Sequence, residues 1–236
     1  MKRSALIFLV PFLHSCAPVN GSATYVPPAA SSVTRTQAVA SAYAYTQVSW
    51  IPTEKNVRHQ QDSEGIIIHT PDQSLKDHNF PNGWWKVGAP QAGMPYMWGG
   101  FDTPASFLEK LSSGHAAGDI ATPAKRSGGD KLVSRQATGI DCSGLISRCW
   151  RLPRAYSTAE LPGISDGIEW RDLKAGDILL NDRHVLLFKQ WGVPGSSIQA
   201  YEAGPFPCWK VSAAHIPVQK LVANDYRPRR YRHIIE

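Results

Sequence analysis

The segment Gly139-Ile140-Asp141-Cys142-Ser143-Gly144-Leu145-Ile146-Ser147-Arg148-Cys149-Trp150 sets a cysteine directly behind a residue that caps helices. An aspartate there accepts from the unpaired N–H groups of a first helical turn. Leu145, Ile146, Cys149 and Trp150 then recur at helical spacing, so a helix is predicted to begin at Cys142. A thiol in that first turn faces free N–H groups and the positive end of the helix dipole. Both favour the thiolate, the form that attacks carbonyl carbon. The same N–H groups suit the oxyanion that such an attack creates. The ordinary fate of a cysteine is burial as a small hydrophobe. The capped, glycine-flanked position of Cys142 argues for chemistry instead.

A thiolate nucleophile needs a base beside it, normally histidine. Of eight histidines, His184 is placed best, opening the apolar strand His184-Val185-Leu186-Leu187-Phe188 directly after the turn Asn181-Asp182-Arg183. Pairing that strand with residues 198–202 about a loop at 190–197 centres the hairpin near residues 193–194. Residue 184 then faces residues 202–204. Glu202 becomes a cross-strand neighbour able to accept the second ring N–H and fix the tautomer. An exposed strand-end carboxylate is the alternative reading of Glu202. His59, His69, His78 and His115 make no H-x-x-x-H or H-E-x-x-H pair, and the cysteines lack C-x-x-C spacing. No metal site and no organic cofactor is therefore expected.

Bringing residues 142, 184 and 202 together requires a helix laid against a small antiparallel sheet. A helix is predicted over residues 34–50, with Val39, Ala42, Tyr43 and Tyr45 on its apolar face. A shorter one follows Thr103 as N-cap and Pro104 as first helical residue, and closes at Gly114. Strands are predicted at residues 177–180, 184–189, 198–202 and 209–212. Helices first and a meander afterwards is an α+β pattern. Residues 51–95 are turn-rich, with Ile66-Ile67-Ile68 as a candidate strand, and residues 115–138 read as a mobile loop.

The whole chain, 236 residues with 42% hydrophobic and 19% charged, is of a size and make-up for one globular domain with extensions. Its start reads as an export signal. Met1-Lys2-Arg3 precedes the apolar run from Ala5 to Leu13, too short to span a bilayer, and Leu13-His14-Ser15-Cys16 closes it. A small residue before that cysteine resembles a lipoprotein signal, with Cys16 as the acylated residue; an ordinary cleaved signal or an uncleaved anchor are the alternatives. The expected organisation is a signal at 1–16, a tether at 17–33 rich in small and turn-forming residues, and a domain at 34–236. The expected place is the cell envelope, lipid-anchored on a periplasm-facing membrane, the outer membrane first. Without Lys2 and Arg3 the formal charge of +6 falls by two, and the excess lies in Arg227-Pro228-Arg229-Arg230-Tyr231-Arg232-His233. That tail suits an anionic surface or simply solvent. No nucleic-acid motif is present. Beyond Cys16, Cys142, Cys149 and Cys208 are odd in number, so at least one thiol stays free if the others pair. Cys142 and Cys149 stand too far apart along one helix to bond, and Cys149 with Cys208 is open between a bridge and free thiols.

Four segments in order over residues 85–205 carry a family resemblance. Tyr96-Met97-Trp98-Gly99-Gly100, Asp141-Cys142-Ser143-Gly144-Leu145, Gly176-Asp177 and His184-Val185 resemble the NlpC-type cell-wall peptidases, a branch of the papain-like cysteine enzymes. The resemblance implies a papain-like α+β fold with N-terminal helices packed on a small antiparallel sheet. It implies Cys142 as nucleophile, His184 as base and Glu202 as third polar residue. Tyr96 would contact the nucleophile region, with plain core packing as the alternative, and Asp141 and Ser143 would help bind substrate. The implied substrate is the peptidoglycan stem peptide, cut at the γ-D-glutamyl–diamino acid bond first and the D-alanyl cross-link second. The implied partners are that peptide and, through the lipid, a membrane, with the protein a monomer. An amidase or acyltransferase on another envelope substrate, or an inactive wall-binding lipoprotein, are the competing readings. The family more often has His where Glu202 stands. The stretch between Gly100 and Asp141 is longer than in the family, so residues 101–139 are an insertion, expected to fold over the cleft beside Cys142 rather than form a surface loop.

Overall fold

A computed structural model describes residues 32–75, 83–204 and 208–236 of the chain. The export signal, Cys16, most of the tether and His78 lie outside the described residues. Helix α1 (Arg35–Thr46) starts at a complete capping box: the Gln37 amide donates to the Thr34 hydroxyl at 3.1 Å, and the Thr34 amide donates to the Gln37 side chain at 3.0 Å. Ala38, Ala42 and Tyr45 form its buried stripe, and the two alanines let another helix come close. Helix α2 (Pro104–Ser112) has the predicted Thr103 cap and Pro104 start. Helices α3 (Pro123–Gly128), α4 (Cys142–Cys149) and α5 (Val218–Ala223) follow.

Six strands form one antiparallel sheet: β1 (Ser165–Gly167), β2 (Ile178–Leu180), β3 (Val185–Val193), β4 (Ser197–Ala203), β5 (Val211–Pro217) and β6 (Arg227–Tyr231). Their spatial order is β5-β4-β3-β2-β6-β1. The chain is thus α+β, as the order of predicted elements implied. Ile178, Leu180, Val185, Leu187 and Tyr201 belong to the main core with residues of α1 and α4. Leu179, Leu186, Phe188, Ile198 and Ala200 belong to a second core with Leu221 of α5. A sheet covered on both faces explains the unbroken apolar run of residues 185–188, where a half-exposed strand would alternate.

Several expectations are corrected. Strand β3 runs on to Val193, so the hairpin turn is shorter than residues 190–197, and its register shifts at two points. The basic tail is not a solvated terminus: β6 is an interior strand between β2 and β1. Its arginines spend their donors inward, Arg229 on the Ser165 hydroxyl and carbonyl and Arg230 on the Asp177 carboxylate. Residues 66–68 contribute only a single bridge, Gln61 to Ile67, while Ile68 packs with Met97, Ala116 and Ala137. Residues 115–138 are built structure rather than loop. Ala116–Ala117 pairs in parallel with Ala137–Thr138, and α3 between them has Thr122 as cap and Pro123 at its start. The Asp102 carboxylate closes the base of segment 101–139, accepting from the Thr138 hydroxyl at 2.7 Å and the Gly139 amide at 3.1 Å. Cys149, buried, and Cys208, exposed, are both free thiols.

Asp177 joins the start of α1 to the sheet. Its fully buried carboxylate pairs with Arg35 at 3.0 Å and Arg230 at 2.7 Å, and accepts from the Lys174 amide at 2.8 Å. Nearby, the Trp150 indole at the end of α4 donates to the Gly176 carbonyl at 3.0 Å and stacks on Tyr231. Removing one member of such a buried cluster strands the remaining charges. Asp177→Ala is expected to cost about 3–5 kcal/mol in chemical denaturation, with Asp177→Asn costing less; a loss under about 1 kcal/mol would mean that the two arginines reach water instead.

Candidate functional site

Helix α4 begins at Cys142, as its sequence predicts. The Asp141 carboxylate accepts from the Gly144 amide at 2.5 Å and the Ser143 hydroxyl at 3.0 Å, and its other oxygen accepts from the Gly99 amide at 3.1 Å. One side chain thereby caps the helix and ties it to the Gly99–Gly100 turn. Burial pushes the Asp141 carboxyl up to about 6, although the Gly144, Ser143 and Gly99 hydrogen bonds and the charge of His184 pull the other way. The contact is backbone on backbone: a Cβ at Gly144 would collide with the Gly100 carbonyl oxygen. Asp141 and Ser143 line the cleft, with their side chains engaged in holding the helix start.

The segment Pro95–Trp98 forms the cleft floor. The Met97 amide donates to Ile140 at 3.1 Å, the Trp98 amide to the Asp119 carbonyl at 2.8 Å and the Tyr96 amide to the Trp209 carbonyl at 2.8 Å. Tyr96 is 4% exposed. Its hydroxyl has no hydrogen-bond partner among the described residues, and it lines the same cavity as Cys142 and Asp141. Burial first, and then the charges of Cys142 and Asp141, hold this phenol well above its ordinary range, so it stays a donor. The backbone amides of Cys142 and Ser143 likewise have no acceptor among the described residues.

His184 lies at the head of β3, held there by its own amide donating to the Asn181 side chain at 2.8 Å. Its Nε2 lies 2.8 Å from Glu202 Oε2, and the Cys142 side chain is near enough for its charge to act on the ring. Leu187 faces Tyr201 across the hairpin, so Glu202 reaches the ring diagonally from the same face of the sheet. Burial alone would push the imidazole pKa down. The charge of Cys142 and the hydrogen bond and charge of Glu202 outweigh it and hold the ring up to about 10. Across the neutral range the imidazole therefore keeps its proton.

Tyr226 is a participant that sequence reading missed. Its ring meets that of His184 edge to face, centroids 6.4 Å apart, and burial followed by the charges of Glu202 and Cys142 raises its phenol. Lying directly before a supposed solvated tail, it gave no periodic signal. The cavity at Cys142 holds about 690 Å³. Tyr96, Trp98 and Asp141 form one part of its lining, Arg126 and Asp130 of the insertion another, and Asp182 and Arg183 of the turn before His184 a third. A larger open groove of about 1000 Å³ runs beside Trp170, Arg171 and Arg227 but has no cysteine, histidine or serine in its lining. No grouping of three or more histidine, cysteine or carboxylate side chains suited to a metal occurs among the described residues.

Comparison with protein-family models, with curated proteins and with solved structures finds no match to this chain. What the arrangement can do is therefore read from its chemistry. A thiol at a capped helix start, an imidazole held between it and a carboxylate, and free donors nearby suit nucleophilic attack on a carbonyl carbon.

Glu202→Gln removes the charged acceptor. The His184 ring, followed by NMR, is expected to titrate near 10 in the parent chain and clearly lower in this variant. The sign follows from the raised pKa: His184 contributes stability fully present below its unfolded value near 6.5 and lost as pH rises toward about 10. An unchanged titration in Glu202→Gln would remove Glu202 from the site.

Proposed function

We propose that this protein is a thiol hydrolase of amide bonds in peptidoglycan stem peptides, of the papain-like NlpC type. The observation that carries the reading is the His184 imidazole hydrogen-bonded to Glu202 and under the influence of Cys142 at the capped start of α4. The resemblance of residues 96–100, 141–145 and 184–185 supplies the substrate class, with the γ-D-glutamyl–diamino acid bond first. The export signal, lipidation at Cys16 and an envelope location on a periplasm-facing membrane belong to the same proposal, as does a monomeric state.

The sulfur of Cys142 attacks the amide carbon, and the carbonyl π electrons move to oxygen. The Tyr96 hydroxyl and the amides of Cys142 and Ser143 offer hydrogen bonds to that oxyanion. As the C–N bond breaks, His184 gives its proton to the leaving nitrogen, leaving a thioester and a free amine. Water then attacks the thioester carbon and passes a proton to His184. The C–S bond breaks, the sulfur leaves as thiolate, and a carboxylic acid is released. Glu202 keeps the ring oriented and favours its charged form.

The full chain incubated with purified sacculi is expected to release new soluble muropeptides, and Cys142→Ala to release none while remaining folded by circular dichroism. Retention on the sacculi without release by the parent chain would sink the hydrolase reading. Tyr96→Phe is expected to lower kcat about a hundredfold with little change in KM; an unchanged kcat would take Tyr96 out of oxyanion binding.

A further inference from the structure

Lys125 and Arg126 are adjacent on α3 with opposite fates. Lys125 is buried and pairs with the buried Asp119 carboxylate. Asp119 is in turn hydrogen-bonded through its backbone to Tyr96 and Trp98, so α3 is fastened to the cleft floor. Arg126 points the other way into the cavity of Cys142, its guanidinium 5.9 Å from the centre of the Trp98 ring. It has no carboxylate partner among the described residues. Asp130, on the short turn after α3, lines the same cavity and likewise has no cationic partner there.

Asp141, Asp182 and Arg183 also line the cavity. Asp182 and Arg183 lie 3.8 Å from each other, and Asp141 uses both oxygens on Gly144, Ser143 and Gly99. Arg126 and Asp130 line the cavity of Cys142 without an ion-pair partner among the described residues, and not paired with each other. Both side chains are exposed on this wall, so a ligand carrying a single charge would engage one and leave the other in water. A ligand carrying an ammonium and a carboxylate on one carbon satisfies both.

We infer that Arg126 and Asp130 form a subsite for a zwitterionic amino-acid end, Arg126 taking the carboxylate and Asp130 the ammonium. The inference rests on the proposed hydrolase and deepens it: the substrate is a stem peptide whose diamino acid retains its free distal end. Cross-linking converts that ammonium into a neutral amide and removes half of the recognition. The insertion is then the part of the molecule that distinguishes open stem peptides from cross-linked ones.

Four synthetic stem peptides test this with the full chain: one with the distal end free, one amidated at its carboxylate, one acetylated at its amine, and one blocked at both. The parent chain is expected to favour the free end about tenfold in kcat/KM for each charge retained. Arg126→Gln should abolish the preference for the carboxylate alone, and Asp130→Asn the preference for the ammonium alone. Equal treatment of all four peptides by the parent chain, or variants that slow all four alike, would overturn the subsite. Calorimetric binding of the same peptides to Cys142→Ala separates the two proposals. Affinity graded by the free charges without any cleavage by the parent chain would fault the hydrolase and keep the subsite, whereas equal affinity would fault the subsite alone.

Discussion

The His184 ring is held by two groups that both prefer it charged, and each arrives from a different part of the fold. Glu202 comes across the hairpin from β4, so its position depends on the pairing of β3 with β4. Cys142 comes from the first turn of α4, which must be set against the sheet at one depth and rotation. That placement is governed by the contact of Gly144 with the Gly100 carbonyl and by Asp141 spanning the gap to Gly99. A small displacement of either element removes one of the two influences on the ring while the other persists, and a ring with one of them is a different acid. Much of the chain, from the α1 stripe to the two-faced sheet, serves to keep those two approaches in register.

The centre of this arrangement was legible because its signals are local. Asp141 ahead of Cys142, with Leu145, Ile146 and Cys149 behind, specifies a capped amphipathic helix within a dozen residues. The hairpin placed Glu202 near His184 by symmetry, and the diagonal reach of a glutamate absorbed an error in turn length. What escaped was long-range. Residues 227–231 look like a solvated basic tail until Asp177, some fifty positions earlier, supplies the buried carboxylate that draws Arg230 inward. Tyr226 was lost with them. Thr122-Pro123 carried the same start signal as Thr103-Pro104, but the glycines and charges around it read as loop. The buried pairing of Lys125 with Asp119 is invisible to periodicity.

Residues 101–139, expected to fold over the cleft, supply one of its walls. The segment's two ends are pinned by Asp102, its Ala116 and Ala137 pack with Ile68 and Met97 outside it, and its helix is bolted to the floor residues through Lys125 and Asp119. Side chains on rigid elements hold geometry that side chains on loops lose. A cation and an anion presented from such a wall can discriminate between ligands, because reorganising to meet the wrong one would mean deforming packed structure rather than bending a loop.

The two ends of α4 face different business. Cys142 opens it; about 12 Å further on, Trp150 closes it against Gly176, itself packed beside Arg35, the residue with which α1 begins. The described chain therefore enters α1 beside the end of α4 that lies farthest from Cys142, so whatever docks at the cleft meets the body away from the start of α1.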